Sequence, residues 1–505
     1  MGELTVSRTA PGITPLHLAG LAGLYLLIDA FVQTPNLAPR LSQWVRDDDS
    51  VTIRWTGPDG PALREFVQKA YVRQINGLFW SPALGSSDNR DLARFHQVLT
   101  RAFVQHPRAR TPDKTFGTRL LSLDLGDGAV LPFSYKALTS FAHRDAFERD
   151  KTFIDSNESL RKEVRIVGWL FPGGGVRHQV APVTELSEPC ERAFALVFAP
   201  LGSIFYRVAS RNGPGKIRSV IVLPLQAPLS VLAKACRRAS GRLDAAAGVA
   251  DALLQYEVEL RAYQDTRRIG GAEAIVLGTA PWNPQQQSRT SALRVTGVPK
   301  ALDIYDELRS LLPARIIKRE KGNSFLQVTA LREFVAANVI ASSPWYLGFA
   351  EHLQMLVSKK MRIYPSERKA LHIMSYEKKW NRNDELALVR IVHQAWKQTL
   401  GKLGERAAQG GSDAGRLFEV EQTRLRVVIA KAKTLEDFLH AFADFVSRAG
   451  MNPELRSSLK SVLRMIEPDT WSRARDLTLL ALVSYTAADE EAAIDVEHDV
   501  AKEMA

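Results

Sequence analysis

The stretch Leu16–Val32, LHLAGLAGLYLLIDAFV, is the most apolar run of this 505-residue chain. It contains His17 and Asp29, is shorter than the roughly 20 clean apolar residues that cross a bilayer, and lacks a basic segment ahead of it. Thr14 and Pro15 predict a helix start, since threonine caps helices and proline fits the first helical position. We therefore expect a buried helix, a cytoplasmic protein and no membrane partner.

Outward from this helix, the chain up to about residue 360 alternates short β-branched runs with turns and helical stretches. The run Val51–Trp55, VTIRW, predicts a strand. Three further runs, Phe194–Phe198, Ser203–Val208 and Arg218–Leu223, are separated by Gly- and Pro-containing turns. Such spacing is typical of an antiparallel meander.

From about Asn383 the pattern becomes helical, with apolar residues recurring at steps of three and four. Gly404 is expected to end the first helix, and Thr434 with Asp437 to form a capping box for a later one. Short links between such helices indicate an antiparallel bundle. The prediction is therefore an α+β fold, with a mixed N-terminal domain containing an antiparallel sheet and a C-terminal all-α helical bundle. The expected divisions are residues 1–360 for the N-terminal domain, 361–486 for the bundle and 487–505 for an acidic tail.

The net charge is +12, and the excess lies in the first part. Residues 1–360 carry 45 Lys/Arg against 33 Asp/Glu, whereas residues 361–505 carry 22 of each. Such an excess favours polyanionic partners through counterion release. The bundle ahead of the tail is basic, because seven acids lie in the last nineteen residues. They are Asp489, Glu490, Glu491, Asp495, Glu497, Asp499 and Glu503.

Motifs of catalysis are missing from the sequence. Cys190 and Cys236 lack metal-ligand spacing, and the ten histidines form no HExxH pattern. The run Asp47–Asp49 suggests metal-dependent nuclease chemistry, but consecutive acids do not converge on one ion without further ligands, so a solvated turn is the alternative. We expect no cofactor, no metal and no enzymatic activity. Scattered catalytic residues of a nuclease or nucleic-acid-modifying enzyme stay an alternative.

The polar residues 279–290 predict a loop that recognises DNA bases. Asparagine and glutamine amides pair with adenine edges, and arginine binds guanine or phosphate. The alternative is a surface loop that Trp282 anchors in the core. The candidate residues for base recognition are Asn283, Gln285, Gln286, Gln287 and Arg289.

Four further groups are candidates for contact with the nucleic-acid backbone. A glycine-rich loop lets the backbone approach phosphate, although a plain hairpin tip is the alternative. Two basic clusters are expected to bind several phosphates each, although solvated surface is their alternative. A basic stretch around Trp380 combines charge with a stacking ring, as proteins that bind single strands do. Trp396 follows the apolar spacing and is expected in the core. The candidates are Gly174, Gly175, Arg177 and His178; Arg315, Lys318, Arg319 and Lys321; Lys359, Lys360 and Arg362; and Lys378, Lys379, Trp380 and Arg382.

Four stretches together resemble the large subunit of type I CRISPR surveillance (Cascade) complexes, in its Myxan-type, DevT-like branch. Each stretch is apolar, but their order, the chain length and the terminal helices agree with that family. They are Leu18–Leu24 (LAGLAGL), Ala195–Gly202 (ALVFAPLG), Leu331–Asn338 (LREFVAAN) with Pro344–Phe349 (PWYLGF), and Ala474–Tyr485 (ARDLTLLALVSY).

The resemblance implies a non-catalytic subunit that contacts the 5′ end of the guide crRNA, recognises a protospacer-adjacent motif in double-stranded target DNA and helps to open it. Guide pairing then recognises the target, as in other RNA-guided effectors. Its implied partners are Cascade backbone subunits, the displaced single strand, a small subunit-like helical protein, and a helicase-nuclease or a transposition adaptor. A free-standing nucleic-acid-binding regulator stays an alternative.

Overall fold

The chain forms two compact units in a computed structural model. Unit 1 comprises residues 1–298 and 314–333, and unit 2 comprises residues 299–313 and 334–505. The residues that the structure describes are 1–105, 107–124, 130–166, 170, 187–209, 217–238, 245–261, 270–280, 283–297, 299–318, 324–358, 363–376, 383–410, 413–450, 462–463 and 465–485.

The predicted α+β fold is confirmed. All strands that the structure describes lie in unit 1, and the described residues of unit 2 form helices and their connections. The division predicted at residue 360 stays a prediction, since residues 359–362 lie outside the described ranges, as does the acidic tail 487–505.

The strands and helices have the following bounds. The strands are β1 (Gly2–Ser7), β2 (Ser42–Arg46), β3 (Ser50–Trp55), β4 (Val72–Arg73), β5 (Phe79–Trp80), β6 (Arg110–Pro112), β7 (Thr118–Asp124), β8 (Val130–Lys136), β9 (Leu138–Phe141), β10 (Glu163–Arg165), β11 (Ser187–Pro189), β12 (Ile204–Val208), β13 (Ile217–Pro224), β14 (Ala245–Ala246), β15 (Gly271–Ala280), β16 (Asn283–Thr296), β17 (Arg315–Lys318) and β18 (Ser324–Gln327). The helices are α1 (Pro15–Gln33), α2 (Asp59–Ala70), α3 (Asn89–Val98), α4 (Cys190–Val197), α5 (Ala199–Gly202), α6 (Leu229–Arg238), α7 (Val249–Arg261), α8 (Leu302–Leu311), α9 (Ala330–Ile340), α10 (Phe349–Ser358), α11 (Pro365–Tyr376), α12 (Asn383–Gly410), α13 (Ala414–Lys431), α14 (Leu435–Ala449) and α15 (Trp471–Ser484).

Helix α1 is the central helix of unit 1 and starts where the sequence predicts. The backbone N–H of Thr14 donates to Nδ1 of His17 at 3.2 Å, and Nε2 of His17 lies 2.9 Å from Glu188. By length and composition α1 could cross a membrane, but 72% of its most apolar window is buried within the protein. It packs against α4, α5 and α6, so its apolar surface forms the core of unit 1.

The strand predicted over Phe194–Phe198 is wrong, because this run forms helix α4 and the residue after it. Residues 193–197 are all buried. A fully buried run has no polar face, so its periodicity does not distinguish a strand from a helix. Gly20 and Gly23 of α1 bring its backbone close to the carbonyl oxygens of Ala195 and Phe198. This close helix packing depends on contacts far apart in sequence.

The largest sheet of unit 1 has the strand order β14-β12-β13-β15-β16. Strand β12 pairs parallel with β14, and the other neighbours pair antiparallel. The strands predicted over Ser203–Val208 and Arg218–Leu223 are confirmed as neighbours β12 and β13. The loop predicted over residues 279–290 is wrong, because residues 283–290 belong to β16 and extend the pairing with β15.

The stretches that carry the family resemblance pack against one another. In unit 1, the glycines of Leu18–Leu24 meet the backbone of Ala195–Gly202. In unit 2, the Asp476 carboxylate accepts hydrogen bonds from the backbone N–H of Gly348 at 2.7 Å and of Ala350 at 3.3 Å. The resemblance therefore consists of buried packing within each unit.

The helices of unit 2 follow the predicted pattern with one exception. Thr434 and Asp437 form the predicted capping box at the start of α14, and Trp396 is buried in α12. Gly404 does not end α12, which continues to Gly410. A glycine inside a helix costs only about 1 kcal/mol relative to alanine, and the rest of α12 overcomes this cost.

Buried Glu257 of α7 predicts a pH-dependent stability of unit 1. Burial raises its pKa from 4.5 to about 7, against the opposing charge of Arg261. Because the folded pKa exceeds the unfolded value, stability is highest below pH 4.5 and falls as pH rises through about 7. We expect Glu257→Gln to increase the free energy of unfolding by about 2 kcal/mol at pH 8 and to change it little at pH 4.

Urea unfolding at pH 4, 6 and 8 measures this effect, with Glu259→Gln on the same helix as the control. If Glu257→Gln changes the free energy of unfolding by the same amount at all three pH values, the raised pKa assigned to Glu257 is contradicted.

Candidate nucleic-acid interface

Helix α3 and its continuation carry three arginines on one face. Arg90, Arg94, Gln97 and Arg101 follow one another at steps of four, three and four residues, which places them on the same side. All four are half-buried, and Arg101 lies in a π-helical turn, Leu99–Phe103, directly after α3. We call Arg90, Arg94, Gln97 and Arg101 the arginine stripe. The buried residues of α3 are Leu92, Ala93, Phe95, His96 and Val98, of which Ala93 and Val98 directly flank the arginine stripe.

Helix α3 is held from two flanks, and the side chain of Arg94 lines a pocket together with Leu201 and Cys236. On one flank, Leu123 and Leu131 of the hairpin β7–β8 pack with Ala93. On the other, the ring of Phe95 stacks with that of Tyr71 at a centroid distance of 6.2 Å. These apolar contacts fix the rotation of α3 and therefore the direction of its arginines.

Cations and aromatic rings share the base of the hairpin β7–β8. The guanidinium of Arg119 lies 3.8 Å from the ring centroid of Phe116, and the rings of Phe133 and Tyr135 stack 5.6 Å apart. Rings beside cations are typical of surfaces that bind single-stranded nucleic acid; here Tyr135 is buried in a core cluster, and Phe116 and Phe133 are half-buried against it. We call these residues the hairpin base: Lys114, Phe116, Arg119, Phe133, Tyr135 and Lys136.

The charge of this region is positive. Residues 88–136 contain eight Lys/Arg and five Asp/Glu. Burial, together with the charges of Arg110 and Arg101, lowers the pKa of His96 to about 4, so the imidazole is neutral at pH 7. The positive electrostatic potential that attracts phosphate groups therefore comes from the surrounding arginines.

The acids Asp47, Asp48 and Asp49 bind different partners. The carboxylate of Asp47 accepts from the backbone N–H of Asp49 at 2.8 Å, that of Asp48 accepts from the hydroxyl of Ser230, and that of Asp49 pairs with Arg8 at 2.6 Å. The three carboxylates do not converge on one point. Among the described residues there is no group of three or more His, Cys, Asp or Glu side chains able to hold a metal ion.

Both cysteine thiols are unsuited to nucleophilic chemistry. Cys190 and Cys236 are buried and free, and burial raises the pKa of each to about 12. The Sγ of Cys236 donates to the carbonyl oxygen of Gly202 at 3.1 Å. Thiols that stay protonated near pH 7 do not attack substrates.

Comparison with known proteins matches both ends of the chain to one family. Residues 5–197 match the DevT N-terminal domain, and residues 376–504 match the DevT C-terminal domain. The chain belongs to the DevT family. It is 26% identical over 528 aligned positions to the CRISPR-associated protein Cas8a1/Csx13 of Myxococcus xanthus, covering 97% of this chain and 90% of that relative.

The DevT match confirms the resemblance predicted from the sequence, to the large subunit of type I CRISPR complexes. The arginine stripe and the hairpin base both lie within the DevT N-terminal domain.

The DNA-reading candidates of this DevT-family protein lie on strand β16 and not on a loop. Arg289 pairs in register with Leu277, Gln287 with Thr279, and Asn283 with Ala280. The register shifts between the last two pairs, and Gln285 and Gln286 lie at this irregularity. Their role in base recognition stays a prediction.

The backbone-binding candidates are placed only in part. Arg315 is exposed at the start of β17, and Lys318 ends the same strand. Strands β10 and β11, which precede and follow the glycine-rich segment in the sequence, pair antiparallel. The candidates outside the described ranges are Gly174, Gly175, Arg177, His178, Arg319, Lys321, Lys359, Lys360, Arg362, Lys378, Lys379, Trp380 and Arg382.

The arginine stripe and the hairpin base were not among the sequence candidates. The stripe has a sequence signal, the spacing of Arg90, Arg94 and Arg101 along one helical face. The hairpin base has none, since it depends on the pairing of β7 with β8 and on the packing of both against α3.

Proposed function

We propose that this chain is the non-catalytic large subunit that recognises the protospacer-adjacent motif, contacts the 5′ end of the guide crRNA and supports strand separation for a separate effector. The DevT family and the name of the Myxococcus relative support the type I CRISPR assignment. The arginine stripe and hairpin base support the contact with nucleic acid.

The observation that carries the proposal is the arginine stripe within the DevT N-terminal domain. From Arg90 to Arg101 the stripe extends over eleven residues, which is about 16 Å along a helix axis. Phosphates along one strand are roughly 6–7 Å apart, so this length matches about three of them. Arginine binds phosphate through paired N–H donors and keeps its charge at any physiological pH.

The partners that follow are the guide crRNA, double-stranded target DNA with its displaced strand, Cascade backbone subunits and a small subunit-like helical protein. In this proposal the nuclease activity belongs to a separate helicase-nuclease that the complex recruits. If the complex serves guided transposition, it recruits a transposition adaptor instead. The compartment that we propose is the cytoplasm.

Binding and integrity of labelled nucleic acids test this function together. We expect the purified chain, with its backbone subunits and guide crRNA, to bind duplexes that carry the motif and to leave RNA and DNA intact in Mg²⁺ or Mn²⁺. Metal-dependent cleavage would contradict the non-catalytic role and support a nuclease. Tight DNA binding without guide or backbone subunits would support a free-standing regulator instead.

Strand β16 gives a second prediction, for motif recognition. If Asn283, Gln285 and Gln286 contact bases, replacing each by alanine should reduce the preference for the correct motif by about 1–3 kcal/mol per lost paired contact and leave guide binding unchanged. Competition between duplexes of different motif measures this preference. Thr296→Ala, at the other end of the same strand, is the control. If the substitutions weaken the binding of all duplexes equally, whatever their motif, these residues contact phosphate and not bases.

A further inference from the structure

Two arginines of unit 2 lie close together without an acceptor for their buried nitrogens. They are Arg368 of α11 and Arg426 of α13, and burial, together with the charge of Arg368, lowers the pKa of Arg426 to about 10. The Nε of Arg368 and both Nε and Nη2 of Arg426 are shielded from solvent and have no hydrogen-bond partner within the part of the chain that the structure describes.

Buried guanidinium donors without an acceptor are unfavourable, because each loses its hydration without replacement. Glu419, on α13, favours the charge of Arg426 but makes no hydrogen bond to it in the described structure. Two adjacent guanidinium groups with free donors suit an oxyanion, whose oxygens accept from planar N–H pairs. An anionic group from elsewhere would therefore satisfy this pair.

The arginine pair lies near the point where the described chain ends. Gln422, one turn before Arg426 on α13, donates through Nε2 to the carbonyl oxygen of Leu482 at 3.1 Å. His372, one turn after Arg368 on α11, lies through Nδ1 3.0 Å from the carbonyl oxygen of Ser484. Both arginines are thus within about two helical turns of the end of α15.

The chain that follows α15 is acidic. Residues 487–505 carry seven acids against Lys502 alone, and Asp489, Glu490 and Glu491 come four to six residues after Tyr485. At about 3.3 Å per extended residue they reach roughly 13–20 Å from that point, enough to return to the arginine pair. The match to the DevT C-terminal domain extends through this segment to residue 504.

We propose that Arg368 and Arg426 form an oxyanion-binding site that takes carboxylates of the chain's own acidic segment, residues 487–505. The segment then occupies a cationic site of unit 2 that a nucleic-acid phosphate would otherwise fill. Charge complementarity, the unsatisfied donors and the short reach from Tyr485 support this source of the anion over an external one.

Disulfide trapping tests the contact. Lys369 is exposed beside Arg368, so the pair Lys369→Cys with Glu490→Cys should form a disulfide about tenfold faster than a distant pair, through its higher effective concentration. Cys190 and Cys236 are buried and should not compete. Adding Arg368→Gln and Arg426→Gln should remove the acceleration.

The matched control pairs His440→Cys with Glu490→Cys. His440 is exposed on α14, whose Phe438 ring lies 6.3 Å from that of Trp471 at the opposite end of α15 from Tyr485. Equal disulfide rates for the two pairs, or a rate that does not depend on the arginines, would overturn the proposal.

Thermal unfolding gives an independent test that does not depend on cysteines. We expect Asp489→Asn, Glu490→Gln and Glu491→Gln together to lower Tm by about 2–4 °C, and to do so only while Arg426 is present. The control neutralises Asp495, Glu497 and Asp499 instead, which removes the same number of negative charges. We expect this control variant to lower Tm less. If the changes in Tm from neutralising the segment and from Arg426→Gln simply add, the proposal is overturned. It is also overturned if inorganic phosphate raises the Tm of the unaltered chain and Arg426→Gln abolishes that increase.

Discussion

Gly202→Ala is expected to destabilise unit 1 by about 3 kcal/mol or more, among the largest effects of a single methyl group. A Cβ at Gly202 would overlap the carbonyl oxygen of Ala19 and the backbone N–H of Gly23, both in α1. Backbone atoms on both sides leave no flexible side chain to move away, so the added carbon separates α5 from α1. Urea unfolding followed by circular dichroism measures the loss.

Gly404→Ala in α12 is the matched control for Gly202→Ala. A Cβ there meets no atom within 4 Å, so we expect alanine to increase stability by about 0.5–1 kcal/mol through its higher helix propensity. Destabilisation at Gly404, or an unchanged unfolding curve for Gly202→Ala, would contradict the packing described for these helices.

Removing the arginine stripe is expected to weaken nucleic-acid binding about 100-fold at 0.1 M salt, if each charged contact contributes about 1 kcal/mol or more. The variant is Arg90→Gln, Arg94→Gln and Arg101→Gln together. The dependence of log K on log salt should also become shallower by about 0.9 for each lost contact to duplex DNA. Titrations of labelled duplex and guide crRNA between 0.05 and 0.2 M salt measure both quantities.

Arg149→Gln, Lys151→Gln and Arg161→Gln together form the control for the arginine stripe. These cations are exposed in unit 1 between β9 and β10, so the change in net charge is the same. We expect little loss of affinity and little change in the salt dependence. Equal losses for the two triple variants would show that net charge alone determines binding.

Local sequence signals predicted much of the fold. Thr14 and Pro15 marked the start of α1, VTIRW marked β3, and Thr434 with Asp437 marked α14, because caps and alternation act between near neighbours. Two of the errors occurred where distant contacts decide the structure. Phe194–Phe198 is buried on all sides, and residues 283–290 form a strand because β15 pairs with them.

The candidate site was less predictable than the fold. Charge and amide composition pointed to the β16 segment and the basic clusters, but not to the arginine stripe or the hairpin base. Composition shows that cations exist, whereas their grouping on one surface depends on how α3 is held between the hairpin and Tyr71. The family resemblance did not locate the site either, because it rests on buried helices.

Crosslinking within the assembled complex shows whether the arginine stripe and the hairpin base contact the guide crRNA or the motif. Guide crRNA with a photoreactive base at its 5′ end, or target duplex with one beside the motif, is irradiated with the complex, and the attached peptides are identified. We expect crosslinks to residues 88–136, together with intact nucleic acid. Two results together would contradict this contact with nucleic acid. Crosslinks would be confined to other subunits, and the arginine stripe would react equally with an arginine-modifying reagent before and after assembly.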